Sequence, residues 1–355
     1  MADSIFTKGT FDPSIGSEAI SFCRTFPLNE YGREYFPHGL QYNVSWIWGH
    51  FYEVETGVTY VFTREFKTAN SNFFILCKRN DDPDQDDEHL YGDFGETFMG
   101  YTTMDQDNAK GTIEVRPMYP SSTPFEVTLK EQYLHIVDCA GDMDLEFNAL
   151  APGYSMYIPG WVGQKNDIMY CEEISKITGT FQGKKVEGWG GVDWCYCPPG
   201  NDYRLSKLIG GLEKSWPAWA NFYKDETAEG GVFLTGMGDW HLFYHWKFDG
   251  KKTETKIYRK YRYKIECNME KGYIKHIDFE LDGIPFEYVT EAVGTRATGI
   301  ANDNFDSVET VEDDTDWIMG HMNTPDSAKK EVIRQYCTNE NFLDRCNNFP
   351  EQSNY

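Results

Sequence analysis

Apolar and polar residues alternate with a period of two over much of the chain. Between Val58 and Lys67, Val58, Tyr60, Phe62 and Phe66 share one side, while Thr59, Thr63, Glu65 and Lys67 share the other. Phe125, Val127 and Leu129 repeat the pattern, as do Tyr261, Tyr263, Ile265 and Cys267 against Arg262, Lys264 and Glu266. Tyr273, Ile277, Phe279 and Leu281 face away from His276, Asp278, Glu280 and Asp282. Successive side chains of a strand point to opposite faces, so these segments read as strands with one buried side. Asp249-Gly250 and Asp282-Gly283 each follow an alternating run and supply the positive φ angles of tight hairpins. Many strands joined by short turns predict an all-β fold of two successive antiparallel β-barrel or sandwich domains with a few short helices. One or two short helices are expected between Leu205 and Tyr223, broken at Gly210-Gly211 and Pro217. A C-terminal helix is expected from Asp326 to Leu343, with Thr324 as N-cap and Pro325 at the first position. Pro198-Pro199-Gly200 and Glu229-Gly230-Gly231 interrupt the strand pattern and divide the chain into domains over residues 1–205 and 206–355.

Length and charge narrow the function. A chain of 355 residues buries a sizeable core without disulfide help. The net charge of -24 argues against a nucleic-acid partner, which wants a basic face, and dense Lys/Arg runs are absent. No apolar run approaches the ~20 residues of a membrane-spanning helix. The start, Met1-Ala2-Asp3-Ser4-Ile5-Phe6, lacks a signal-peptide pattern, so an intracellular protein is expected; a chain trimmed of a secretory leader would read the same way. The nine cysteines lack zinc-site spacing, and Cys337 and Cys346 would pair only in an oxidising compartment. The acidic stretch from Asp81 to Glu88 reads as a solvated loop without the glycine and terminal glutamate of an EF-hand. Nothing in the sequence sets the oligomeric state.

The aromatic content, 16% of the chain, is the figure that points to function. Such rings fill cores, line ligand pockets or form platforms for sugars. Three segments combine them with groups that move protons. Read as a strand, Val44 to Val54 places Trp46, Trp48, His50 and Tyr52 on one side, an imidazole among large rings. In Glu187-Gly188-Trp189-Gly190-Gly191-Val192-Asp193-Trp194, the glycines mark places where another group approaches the backbone. Burial there would raise the pKa of Asp193. Glu187 is six residues away, roughly 20 Å along a strand, and cannot act as its paired carboxylate. The third segment, Asp239 to Trp246, places Trp240, Tyr244 and Trp246 on one face. His241 and His245 lie about 13 Å apart if it is a strand, too far to share a metal. Phosphate-binding, dinucleotide-binding, zinc-protease and serine-hydrolase motifs are all missing, so a site without cofactor or metal is expected. Arg296, in a loop of small residues, is a candidate for an acidic phenol or tropolone oxygen.

With Trp46-Ile47-Trp48-Gly49 and Trp189-Gly190-Gly191-Val192-Asp193-Trp194 in view, the chain resembles the lipocalin-like carotenoid-hydratase superfamily, in its fungal natural-product branch. That branch holds kievitone-hydratase-like proteins and hetero-Diels–Alderases of tropolonic sesquiterpenoid biosynthesis. The resemblance implies a cofactor-independent lyase or cyclase that dehydrates a tropolone or phenolic alcohol to a quinone methide. It then steers cycloaddition with a terpene such as humulene. On this expectation His50 carries the proton, with Asp193 and His245 as further candidates, and Trp46, Trp48, Tyr52, Trp189, Trp240 and Tyr244 are walls. The partner is a small apolar, phenolic or terpenoid molecule. A non-catalytic carrier shares every pocket feature, as does a carbohydrate-active protein that adds two spaced carboxylates.

Overall fold

The structure is a computed structural model that describes residues 5–10, 18–67, 71–72, 74–80, 88–91, 98–99, 102–118, 124–160, 163–206, 208, 213–237, 240–270, 273–292 and 315–355. Arg296 and the acidic residues 81–87 lie outside this set. The all-β expectation holds: fourteen strands make one antiparallel sheet and ten make another, each curled into a half-barrel. The first sheet is centred on Thr59–Lys67, Gln41–Glu53, Lys184–Cys197 and Ile168–Phe181, in that order. The second is centred on Ala228–Gly236, Glu213–Tyr223, Val332–Phe342 and Thr315–Asn323. Each half-barrel encloses its own apolar core. Phe51, Phe62, Phe147 and Phe181 fill the first, and Phe233, Phe243, Phe279 and Phe286 the second.

A third apolar layer joins the two sheets back to back. Val44, Tyr154, Tyr170 and Trp189 from the first sheet pack with Trp216, Ala218, Tyr244 and Trp246 from the second. Side chains tie this seam together: the Thr338 hydroxyl lies 2.5 Å from His50 Nε2, and Tyr170 meets Trp216 edge-on at 4.8 Å between ring centroids. Thr253 Oγ1 donates to the Leu150 carbonyl at 2.7 Å. The central strands are therefore buried on both faces, a condition more usual for parallel sheets. Ala228–Gly236 has no exposed residue, and Lys184–Cys197 is exposed only at its first two positions.

Of the two Asp-Gly signals, Asp249-Gly250 lies in a four-residue loop between Phe248 and Thr253 where Gly250 alone takes positive φ, so the expected two-residue turn does not form there. Asp282 and Gly283 both take positive φ, 52° and 78°, and join Tyr273–Leu281 to Ile284–Ala292 as a two-residue hairpin. The helix expectations need correction. Glu213–Tyr223 is a strand, preceded by a 3-10 turn at Tyr203–Leu205. Its Pro217, which has no N–H, sits where the ladder to Ala228–Gly236 skips from Ser215 to Ala218. The C-terminal helix begins later and is shorter, Leu343–Asn348. Thr324 does cap, accepting from the backbone N–H of Ser327 at 3.0 Å, but it starts only a single turn. Val332–Phe342 then enters the sheet between Glu213–Tyr223 and Thr315–Asn323, and strand pairing on both sides overrides the local helix signal. Cys337 and Cys346 are buried free thiols, not a disulfide.

The glycines of the Trp-Gly-Gly segment set how closely strands approach. A Cβ on Gly190 would stand 2.1 Å from the Trp48 carbonyl oxygen and 2.6 Å from Gly49 Cα. One on Gly191 would stand 3.0 Å from the Trp48 indole, so the missing side chain is where that ring lies. Gly230 serves Trp246, its cross-strand partner within the second sheet, in the same way, at 2.5 Å. Overpacking of this kind costs about 1–3 kcal/mol. Gly190→Ala is thus expected to lower the free energy of unfolding, read from a urea titration, by about that amount, and an unchanged value would show that the two strands separate freely.

Candidate functional site

The seam holds a small cavity between the two sheets, and alternation along Gln41–Glu53 builds one wall. Ile47 and Phe51 point into the first core, while Trp46, Trp48 and Tyr52 pack against the seam layer. Trp48 and His50 line the cavity, joined by Asp193 from Lys184–Cys197, Tyr170 and Glu172 from Ile168–Phe181, and Trp216, Thr338 and Glu340 from the second sheet. Its volume is about 50 Å³. Since one water needs roughly 10–15 Å³ of such space, the closed cavity takes a few waters, and a ring-sized ligand requires the indoles to swing aside.

The polar heart of the cavity is a pair of carboxyls. Asp193 and Glu172 are direct partners across the hairpin that joins their strands. Side chains so placed have Cβ atoms ~4.5–5.5 Å apart. Trp48 Nε1 donates to Asp193 Oδ1 at 2.9 Å, and the Tyr154 hydroxyl donates to Glu172 Oε2. Burial pushes the Asp193 pKa up to about 7, against the opposing hydrogen bonds from Tyr170 and Trp48. Burial, followed by the charge of Asp193, raises that of Glu172 well above the carboxylate range. Glu172 Oε1 has no hydrogen-bond partner. Near neutral pH the pair thus holds a transferable proton beside three aromatic rings.

His50 responds oppositely to the same physics. Burial disfavours the charged form of any group, which raises an acid and lowers a base. Its pKa falls to about 3 through burial and then the charge of Arg79. The imidazole is therefore neutral, held through Nε2 by Thr338, with Nδ1 unpartnered. Of the expected proton carriers lining this cavity, Asp193 is the one poised near neutrality.

The other expected residues are dispersed. Trp189 is fully buried behind Trp48, ring centroids 5.2 Å apart. Trp46 turns its Nε1 to Glu65 at 3.0 Å, and Tyr52 stacks on Tyr336 at 6.5 Å. Trp240 and Tyr244 belong to the seam in the second sheet, where the Tyr244 hydroxyl donates to the Pro152 carbonyl. His245 packs elsewhere, against Trp219 and Phe286 of the second core, and bonds to Glu229 and Tyr258. Sequence reasoning missed Tyr170, Glu172, Trp216, Thr338 and Glu340. One signal was present for Glu172. Gln182 and Gly183 form a two-residue turn, both with positive φ, and counting back from it pairs Asp193 with Glu172.

Among the described residues one group has metal-ligand character: atoms of His276, Asp278 and Glu287 lie within 4.8 Å of one another. They sit on the outer face of the second sheet. Asp278 is 62% exposed and has Lys264 as its cross-strand partner, so water and an ammonium compete there with a cation. This is a surface ion cluster.

The two curled antiparallel sheets fit a lipocalin-like β fold. No protein-family model matches the chain, and no curated protein matches it. Among solved structures, one similar chain is an AttH candidate from Nitrosomonas europaea. It is 11% identical, with 85% of this chain and 93% of that chain covered at a TM-score of 0.42, a likeness too loose to carry function. No helix among the described residues is long and apolar enough to cross a membrane.

The carboxyl pair makes stability depend on pH. Asp193 binds its proton more tightly in the folded chain, about 7 against an ordinary 3.8. Its contribution is therefore most favourable in acid and is lost as pH rises from about 4 to about 7. Asp193→Asn, which keeps the acceptor for Trp48, is expected to raise the melting temperature at pH 8, at roughly 2–4 °C per kcal/mol relieved, and to change it little at pH 4. An equal shift at both values would show that Asp193 does not hold the proton.

Proposed function

We propose that the protein is a cofactor-independent lyase that removes water from a phenolic or tropolonic alcohol in the seam cavity and guides the resulting quinone methide into cycloaddition with an alkene such as humulene. The observation that carries this reading is the Asp193–Glu172 pair, with Asp193 near 7, set among Trp48, Tyr170 and Trp216. The protonated pair donates to the leaving hydroxyl, the benzylic C–O bond breaks, and water departs. The ring hydroxyl then returns its proton to the pair, so the protein ends unchanged. Cycloaddition moves no proton and needs only a fixed approach and the exclusion of water, which aromatic walls supply. His50 braces the seam through Thr338 in this scheme, and the proton-carrying role passes to Asp193. A carrier without chemistry is the second reading. It is favoured by a larger cavity of about 680 Å³ at the mouth of the second half-barrel, within the ~300–1,000 Å³ range of small-molecule sites.

Mass spectrometry of the purified protein with a hydroxymethyl phenol or tropolone, with and without humulene, tests the proposal. The expected outcome is protein-dependent loss of water and, with humulene, an adduct. A proton donor of this kind contributes ~10²–10⁴-fold, so Asp193→Asn should slow turnover at least a hundredfold while its melting curve stays cooperative. Full turnover in that variant would remove Asp193 from the chemistry, and an unchanged mixture would leave the carrier reading in its place.

A further inference from the structure

The mouth of the second half-barrel carries a buried polar chain that the seam site does not use. Glu229 and His245, on the neighbouring strands Ala228–Gly236 and His241–Phe248, are 1% and 5% exposed, and Tyr258 follows just after Thr253–Ile257. His245 Nε2 lies 3.0 Å from Glu229 Oε2, and His245 Nδ1 lies 3.0 Å from the Tyr258 hydroxyl. Tyr223 and Thr324 donate their hydroxyls to Glu229 Oε1. All three members of the chain line the cavity of about 680 Å³, whose apolar surface comes from Ile284, Pro285, Phe286 and Pro325.

Hydrogen-bond chemistry fixes the direction of every proton here. Burial works against the Glu229 charge, but hydrogen bonds from His245, Thr324 and Tyr223 outweigh it and hold the pKa at about 2. Glu229 is thus ionised and only accepts. Burial lowers the His245 pKa from its ordinary 6.5 despite Glu229, so above neutral pH the imidazole is uncharged with a single N–H. That N–H must sit on Nε2, facing the carboxylate, which leaves Nδ1 a bare lone pair. Tyr258 therefore donates its only proton to Nδ1, and its oxygen can offer the cavity nothing but lone pairs. The lysines at the rim are already engaged. Lys247 pairs with Asp326 at 2.6 Å and Lys256 with Asp282 at 3.1 Å, and Glu254 adds a further negative charge. The rim thus has no surplus of positive charge to recruit an anion.

We propose that this cavity is a second ligand site, distinct from the seam, which binds a neutral, largely apolar molecule through a donated hydroxyl, a phenol or an enol, accepted by Tyr258. The carboxylate acts at a distance by setting the tautomer of His245 and so the polarity of the site. Selection is by donor: a hydroxyl satisfies Tyr258, whereas the matching methyl ether leaves two acceptors face to face.

Equilibrium dialysis of the full chain with phenol and its methyl ether anisole, at about pH 7.5 where both the phenol and the His245 imidazole are neutral, tests this. The phenol is expected to bind about tenfold tighter, the effect of one hydrogen bond of ~1.4 kcal/mol. Tyr258→Phe, which leaves the Glu229–His245 pair intact, should abolish the preference. Asp193→Asn should retain it, which separates this site from the seam. Glu229→Gln gives a second readout. A side-chain amide donating to Nε2 moves the imidazole proton to Nδ1, turns the Tyr258 hydroxyl towards the cavity and levels the two probes, since a phenol oxygen and an ether oxygen both accept. No binding of either probe by the unaltered chain, equal binding of both by that chain, a preference that survives Tyr258→Phe, or one that is lost in Asp193→Asn would each overturn the proposal.

Discussion

The packing of the two sheets back to back is the constraint on which the rest of this structure depends. Each half-barrel already has a core on its concave side, so joining the convex sides buries the central strands twice. Every residue on those strands must then be apolar, paired or very small. Gly190, Gly191 and Gly230 meet that demand by leaving room for backbone and for the Trp48 and Trp246 indoles. Trp189 and Trp246 meet it with bulk, each fully buried and worth roughly 2–3 kcal/mol in apolar area removed from water.

The same burial makes the chemistry. A carboxyl and an imidazole on adjoining strands lose the same solvent, and both are pushed towards their uncharged forms. For His50 that means a pKa of about 3 and a silent, neutral ring; for Asp193 it means about 7 and a proton ready to move. Desolvation thus selects between two residues that look equally able in sequence. Glu173, next in chain to Glu172 but on the opposite face, is also raised to about 7 by burial. It is bonded to Tyr31 at 2.8 Å in the first core and does not line the seam cavity, so a shifted pKa alone does not mark a site.

His245 shows what a partner changes. It is as deeply buried as His50, yet its neighbour across the strand pair is an ionised carboxylate that orients its proton. One imidazole braces a seam and the other transmits the charge of Glu229 to a tyrosine. The two cavities also differ in scale, about 50 Å³ against about 680 Å³, and in lining, the seam by both sheets and the mouth by the second sheet with Pro325.

The sequence by itself determined the all-β class, the alternating sides of many strands and the Asp282-Gly283 hairpin, because a period of two and Asp-Gly chemistry act within a few residues. It put Trp48 and His50 on one face of a single strand without showing which face turns inward, and strand spacing argued against a shared metal for His241 and His245. Reading Asp326–Leu343 as a helix failed, since a sound N-cap at Thr324 cannot register the two strands waiting on either side of Val332–Phe342. Tertiary structure alone decided which convex face meets which, and hence that Trp216, Thr338 and Glu340 stand opposite Asp193. Thr338 and Glu340 stand more than a hundred positions from Asp193 in the chain, and only the burial these contacts create sets which ionisable group keeps its charge.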